Sequence, residues 1–460
     1  MGSFKTKKGL DLPLNGLPKS EILDSAWTRT AAVYPSEFLE VKPKLRVEVG
    51  DKVKRGSLLF TCKKRPDLQF CAPIAGTIKE INLGERRSIR EIIFETDESN
   101  EAISFGKHSA EEIRKLPREA VMELLLKTGF LAFIRQRPFS RIASAKVEPK
   151  AIFVNAMHTA PFQASAELAA ESDRPAFQAG LDLMNRLTSG KVYLSIPADT
   201  SSPALTEAEN ADINSFSGPH PAGNSSVHID RLDPIKPHDV VWTVNACHLV
   251  LIGQLFLNGE LPPSEIVALG GPGVKAENQT HYRVYRGAWL KEMLEPKLAD
   301  GEQRIINGDI LTGEQIPLES GLRFFRTGIT VIPEKRERKF LGWLAPGLNE
   351  FSTSRLFLSR WLWRRRLWNL DTADHGGKRA MFATGIYDRV MPLNIMVDFL
   401  VRAVLAHDTD EAVKLGILEV DPEDFALCSY LCPSRTDIAG IIRDGIEEIE
   451  EEGIYTQEQE

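Results

Sequence analysis

Two short segments near the start constrain the fold most. Val47-Glu-Val-Gly-Asp51-Lys-Val-Lys-Arg-Gly56 and Ala72-Pro-Ile-Ala-Gly76-Thr-Ile-Lys-Glu-Ile81 each alternate apolar and polar positions around glycine turns. Both read as β structure, and the repeated pattern resembles the two halves of a β sandwich, placed with its N-terminal lead-in at residues 1–105. The full chain has 460 residues, more than one ordinary core accommodates, so further domains must follow.

Beyond the sandwich the period becomes helical. Ala110-Glu-Glu-Ile-Arg-Lys-Leu116 and Arg118-Glu-Ala-Val-Met-Glu-Leu-Leu-Leu-Lys127 carry helical spacing, with Gly129 as the stop signal. Ala151-Ile-Phe-Val-Asn155 then reads as a buried strand, Phe177–Leu187 as a helix and Lys191–Ile196 as the next strand. Such alternation predicts a parallel sheet with crossovers, an α/β domain over residues 106–256. Residues 257–332 read as short strands, turns and helices, a β-grasp-like module. Residues 333–460 read as a mainly helical C-terminal domain. Between Asp444 and Glu460 there are eight acidic residues and no basic one, which predicts a solvated terminal helix that frays. The expected fold class is α+β multidomain.

The formal charge of −7 argues against nucleic acid as the main partner, since such binders carry a basic field. Five cysteines, sparse and odd in number, with no signal peptide before Asp11, point to a reducing, cytosolic compartment rather than a disulfide framework. Val240–Gly259 is the longest stretch without a charged residue, yet it holds Asn245, His248, Gln254 and Asn258. That polarity is costly in hydrocarbon, so a buried strand followed by a helix is expected.

Several groups invite a chemical reading. Lys63 and Lys64, in the hairpin between the two halves, resemble in position the modified lysine of biotinyl/lipoyl carriers, but methionine flanks are missing and a surface lysine is expected. Gly270-Gly-Pro-Gly-Val-Lys275 lacks phosphate-loop spacing, and Ala276 supplies no hydroxyl for magnesium. His220, His228 and His238 match no ligand spacing. Cys428-Ser-Tyr-Leu-Cys432-Pro433 keeps the last step of a ferredoxin run, but the two earlier positions are Phe425 and Pro422, which cannot ligate iron. Between Glu334 and Trp368 basic residues far outnumber acidic ones and four tryptophans gather, a composition suited to a docking surface or to a self-packed helix with extended arginines.

Lys8-Gly-Leu-Asp-Leu-Pro13, the two sandwich halves, Ser217-Gly-Pro-His-Pro-Ala-Gly223, Arg379-Ala-Met-Phe-Ala-Thr-Gly-Ile-Tyr-Asp-Arg-Val-Met-Pro-Leu393 and Ala426-Leu-Cys-Ser-Tyr-Leu-Cys-Pro433 occur in order along nearly the whole chain. Together they resemble the NqrA family of the Na+-translocating NADH:quinone oxidoreductases, which is related to the RnfC proteins of Rnf complexes and to the complex I flavoprotein. The sandwich itself resembles the biotinyl/lipoyl barrel-sandwich hybrid.

The resemblance implies a Rossmann-like middle domain and a β-grasp module of the soluble-ligand-binding type. It implies a peripheral subunit on the cytoplasmic face of the bacterial inner membrane, without a redox cofactor or catalytic residues of its own. FAD, FMN, riboflavin and iron–sulfur would sit in other subunits. The implied partners are those subunits, above all the membrane ones, and quinone. Where the flavoprotein relatives carry a glycine-rich loop, this chain reads Gly129-Phe-Leu-Ala-Phe-Ile-Arg135-Gln-Arg137-Pro-Phe139, and side chains fill the space a phosphate would need. Phe130, Phe133, Arg135, Arg137 and Phe139 are the quinone-binding candidates. Trp343, Arg360, Trp361, Arg364, Arg365 and Trp368 are the docking candidates. The rival reading is a flavin-dependent NADH dehydrogenase subunit of the Rnf or complex I type that retains its cofactors.

Overall fold

A computed structural model describes residues 2–38, 40–236, 238–336, 344–353, 357–363, 366–373 and 377–453. Four sheets and a helical tail make up these residues.

The largest sheet has seven strands in the order Gly2–Lys5, Asp212–Ser217, Lys191–Pro197, Ala151–Asn155, Val241–Asn245, Ile134–Arg137 and Arg141–Ile142. The first five run parallel, and each of the last two pairs antiparallel with the strand before it. Its central strands read Ala-Ile-Phe-Val-Asn and Val-Trp-Thr-Val-Asn, continuous apolar runs of the kind that suits burial on both faces. Helices Arg174–Leu187 and Ala246–Asn258 pack on each other beside this sheet. They approach so closely that a Cβ on Gly253 would collide with the Ala176 carbonyl. The charge-free stretch around Val240 is thus a strand and a core helix. No helix among the described residues is long and apolar enough to cross a membrane.

The sandwich faces two small sheets toward each other. One contains Thr30–Val33, Ile89–Thr96, Gly76–Leu83 and Lys52–Val53, the other Pro43–Leu45, Leu58–Cys62 and Gln69–Cys71. Phe60 and Phe70 stack at 4.6 Å in its core. Gly76 lies against the Glu95 carbonyl, where any Cβ would clash, so the motif glycine is required by strand contact.

A six-stranded sheet forms from Glu314–Ile316, Gln303–Asn307, Gly328–Pro333, Ser264–Gly270, Thr280–Tyr285 and Lys19–Asp24. The N-terminal lead-in therefore supplies edge strands to two other sheets before the sandwich begins.

In the tail, helices Val397–Leu405, Thr409–Lys414, Ala426–Leu431 and Ile438–Glu452 enclose a separate core that includes Leu400, Val401, Phe425 and Cys428. The acidic terminal run requires correction. Over its described part the helix Ile438–Glu452 is neither frayed nor fully solvated: Ile438, Ile442, Ile446 and Ile449 form a buried stripe at helical spacing, and residues 454–460 of that run lie outside the described residues. Glu451 and Glu452 stay exposed while Glu450 turns inward to Arg141, and the run of acids conceals the stripe in a count of charges.

Candidate functional site

Ala151–Asn155 is the first of the central parallel strands in the chain. The next two strands are added on one side of it, and Val241–Asn245 on the other. Where strand order reverses in this way, the loops leaving the carboxyl ends diverge and open a crevice. Asn155 and Asn245 are register partners at that point. Asn155 stiffens the corner: its Nδ2 donates to the Gly223 carbonyl at 2.8 Å and its Oδ1 accepts the Met157 N–H at 2.9 Å. The crevice is a cavity of about 490 Å³ in which all parts of the fold meet. Glu37 and Glu40 come from the sandwich, Asp309 and Arg326 from the six-stranded sheet region, and Asp421 and Glu423 from the tail.

Phe133, Arg135, Arg137 and Phe139 line this cavity together. Phe130 does not; it lies behind Phe133, their rings edge to face at 5.0 Å, with the buried Arg286 guanidinium 5.0 Å from its ring. Phe133 is sandwiched between His248 at 4.3 Å and Phe324 at 4.4 Å. Arg135 lies over the Phe325 ring at 5.5 Å, donates to the Ser140 carbonyl and faces Glu40 at 3.8 Å. Arg137 is only 3% exposed. Its guanidinium reaches into the tail, donating to the Val420 carbonyl at 2.9 Å and pairing with Asp421 at 2.9 Å, while also donating to Ser226 Oγ at 3.2 Å. Phe139 packs on the edge of the tail core.

Burial sets the protonation of the other lining groups. His158, His220 and His248 all have depressed pKa values because desolvation opposes the imidazolium, His248 down to about 3. Each keeps a buried Nε2 without a hydrogen-bond partner among the described residues. Glu37 is pushed up to about 7, and burial also raises Glu40. The cavity is therefore walled by neutral imidazole and phenyl rings, by Glu37 and Glu40 whose carboxyls burial raises, and by further charged groups that include Arg135, Asp309, Asp421, Arg443 and Glu447. Sequence reading assigned no role here to His158 and His248; nothing in their local spacing distinguishes them.

The remaining candidates separate. His220 lines the cavity, whereas His228 is buried against Phe216 at 4.3 Å. Among the described residues no three His, Cys, Asp or Glu gather as a metal set. Cys428 and Cys432 are free and buried in the tail, and Tyr387 donates its hydroxyl to the Cys432 sulfur at 3.1 Å. Trp343, Arg364 and Arg365 lie outside the described residues. Arg360 and Trp361 are exposed. Trp368 is not: its N–H donates to the Pro13 carbonyl at 2.8 Å, and its own carbonyl accepts the Asn15 N–H. The lead-in covers it, so it is no surface anchor.

Residues 4–97 match the family described as the NqrA N-terminal barrel-sandwich hybrid domain, residues 116–261 the NqrA second alpha/beta domain, and residues 266–317 the NQRA C-terminal domain. The NqrA protein of the Na(+)-translocating NADH-quinone reductase of Pasteurella multocida is 39% identical over 449 residues, 97% of this chain and 99% of that protein. The chain belongs to the NqrA family. The Klebsiella pneumoniae NqrA is 39% identical and a Yersinia pestis NqrA 40% identical, each over 98% of this chain and 100% of its own length. Among solved structures, an NAD+-reducing [NiFe]-hydrogenase in the H2-reduced state matches at 13% identity with a TM-score of 0.38, over 74% of this chain and 63% of that one. That likeness is too slight to bear on the fold. The NqrA matches give the chain a barrel-sandwich hybrid, a second α/β domain and a C-terminal domain, a mixed α/β multidomain protein.

Proposed function

We propose that the chain is the peripheral NqrA component of a Na+-translocating NADH-quinone reductase, attached to the membrane subunits at the cytoplasmic face and handling quinone in the cleft. The quinone reading rests on one observation: Phe133, Arg135 and Phe139 share a cavity at the switch point of the central sheet with three unprotonated histidines. Apolar rings suit a quinone head, and N–H donors suit its carbonyl oxygens. Arg137 serves the tail joint in this reading, and Phe130 supports Phe133 from behind.

The middle domain is read as Rossmann-like and residues 257–332 as a β-grasp module. The chain is read as holding no flavin or iron. In support, Phe130–Phe133 forms a short 3-10 turn with all four side chains buried, so no glycine backbone is presented to a phosphate. Attachment is read through the basic, aromatic segment around Arg360 and Trp361. In the assembled complex Arg135→Ala should raise the KM for quinone several-fold while the melting temperature stays unchanged. An unchanged KM with full folding would remove quinone from the cleft.

A further inference from the structure

One wall of the cleft belongs to the tail. Asp421, Pro422 and Glu423 face the cavity, as do Arg443, Ile446, Glu447 and Glu450 of helix Ile438–Glu452. Polar contacts hold this wall to the central domain. Arg137 pairs with Asp421, Arg141 with Glu450, and Asn224 donates to Asp424 at 2.8 Å. Apolar contact across the joint is modest: Val227 enters the tail core, and Leu10, Phe139 and Leu311 pack at its edge.

Charge at the joint is unbalanced. Asp421, Glu423 and Asp424 act on one another at the tail side of the joint, where the guanidiniums of Arg137 and Arg326 face them and Arg141 is taken up by Glu450. Arg326 is partly engaged by Thr312, to whose Oγ1 and carbonyl it donates at 3.2 Å each. Three carboxylates so close in a half-buried joint resist ionising together. Asp421 has its ion pair. Burial raises Asp424 too, but Arg137 and the hydrogen bonds it accepts from Asn224 and from the Asp421 N–H at 2.9 Å favour its carboxylate. Glu423 accepts no hydrogen bond from any described residue, so it is the carboxyl that keeps a proton.

We propose that the tail is a latch on the cleft, closed while the Glu423 carboxyl is protonated and released when it ionises beside Asp421 and Asp424. Burial and these two neighbours hold Glu423 well above the usual carboxylate range, while Arg137 and Arg326 pull the other way. The other charged groups on the cavity wall are Arg443, Glu447 and Glu450 of the tail helix, Asp309 of the six-stranded region, and Glu37, Glu40, Arg135 and Arg141. His158 and His220 face it as neutral rings. Ionisation adds a third negative charge to a joint that little apolar contact holds shut. The tail wall then separates, and the cavity beside Phe139 opens to solvent.

Amide hydrogen exchange on the full chain tests this. Protection at residues 138–143 and 420–426, corrected for the intrinsic pH dependence of exchange, should fall by about ten-fold or more between about pH 6.5 and about pH 9, with the core helix Arg174–Leu187 unaffected. Glu423→Gln should abolish the fall. Asp424→Asn should abolish it too, because one carboxylate fewer relieves the excess, and this variant serves if Glu423→Gln does not fold. Protection that ignores pH in the wild type, a fall that persists in either variant, or a loss spread equally over Arg174–Leu187 would each overturn the latch.

Discussion

The Arg137 guanidinium, at the end of a central-sheet strand, sits 2.9 Å from the Asp421 carboxylate in the tail. Arg137 is almost fully removed from water and Asp421 largely so, at 17% side-chain exposure, and the Arg137 Nε has no hydrogen-bond partner among the described residues. Removing one member of a buried pair strands the other, at a cost of about 3–5 kcal/mol. Arg137→Ala should therefore destabilise the chain by that order in urea titration. Arg137→Met combined with Asp421→Leu should recover most of the loss. A cost below about 1 kcal/mol for Arg137→Ala would show that the pair does not hold the tail.

Stability should fall as pH rises through neutrality. Glu37 and Glu265 are raised from 4.5 to about 7, mainly by burial. The folded chain then binds more protons than the unfolded one between those values, so each group's contribution is complete below about 4.5 and lost on passing about 7. His228 and His248, lowered from 6.5 to about 3 by burial, have the opposite sign and reduce stability as pH falls below about 6.5. Between about 4.5 and 6.5 the two effects oppose each other; just above that only the carboxyl slope remains. Glu265→Gln should flatten the decline between about pH 6.5 and 7.5 in denaturation measured at several pH values.

The isoleucine stripe of the last helix should behave as core. Ile442→Ala is expected to cost about 2–4 kcal/mol, the usual range for a fully buried truncation. Glu451→Ala, on the exposed side, should be nearly silent. Equal small effects from both would mean the helix frays after all.

Trp361 and Trp368 should separate docking from packing. Trp361 is 55% exposed and Trp368 8%. Arg360→Glu with Trp361→Ala should weaken co-purification with the membrane subunits, most at low salt and less once salt screens the reversed charge, and leave the melting temperature of the isolated chain alone. Trp368→Ala should instead lower that temperature, because its buried ring packs against Phe351 and under the Arg366 guanidinium.

Cys428→Ser with Cys432→Ser should lower stability without stopping electron transfer through the assembled complex. Both thiols are buried, and Tyr387 loses its sulfur acceptor. Abolished turnover in a normally assembled complex would give the pair a redox role.

The sandwich was legible because its signal is local: Gly50-Asp51 and Gly76 mark turns, and alternation marks faces. The parallel sheet was legible from apolar runs alternating with helical periods. Phe130, Phe133, Arg135, Arg137 and Phe139 were picked out because they fill the segment where the flavoprotein relatives carry a glycine-rich loop, and all but Phe130 line the cavity. His158, His248, Glu37 and Asp421 were not, because each is drawn in from a different region.

Local chemistry in the sequence was enough to determine the elements, the two sandwich halves and the absence of a four-cysteine run, since turn residues and side-chain periods act over a few positions. Tertiary structure alone decided that the lead-in completes two distant sheets, that Trp368 is covered and that Arg137 belongs to the tail. It also decided which histidines stay neutral and which carboxyls keep a proton. Those outcomes depend on burial and on charges brought close in space, and the desolvation that shifts a carboxyl or an imidazole exists only once the chain has closed around it.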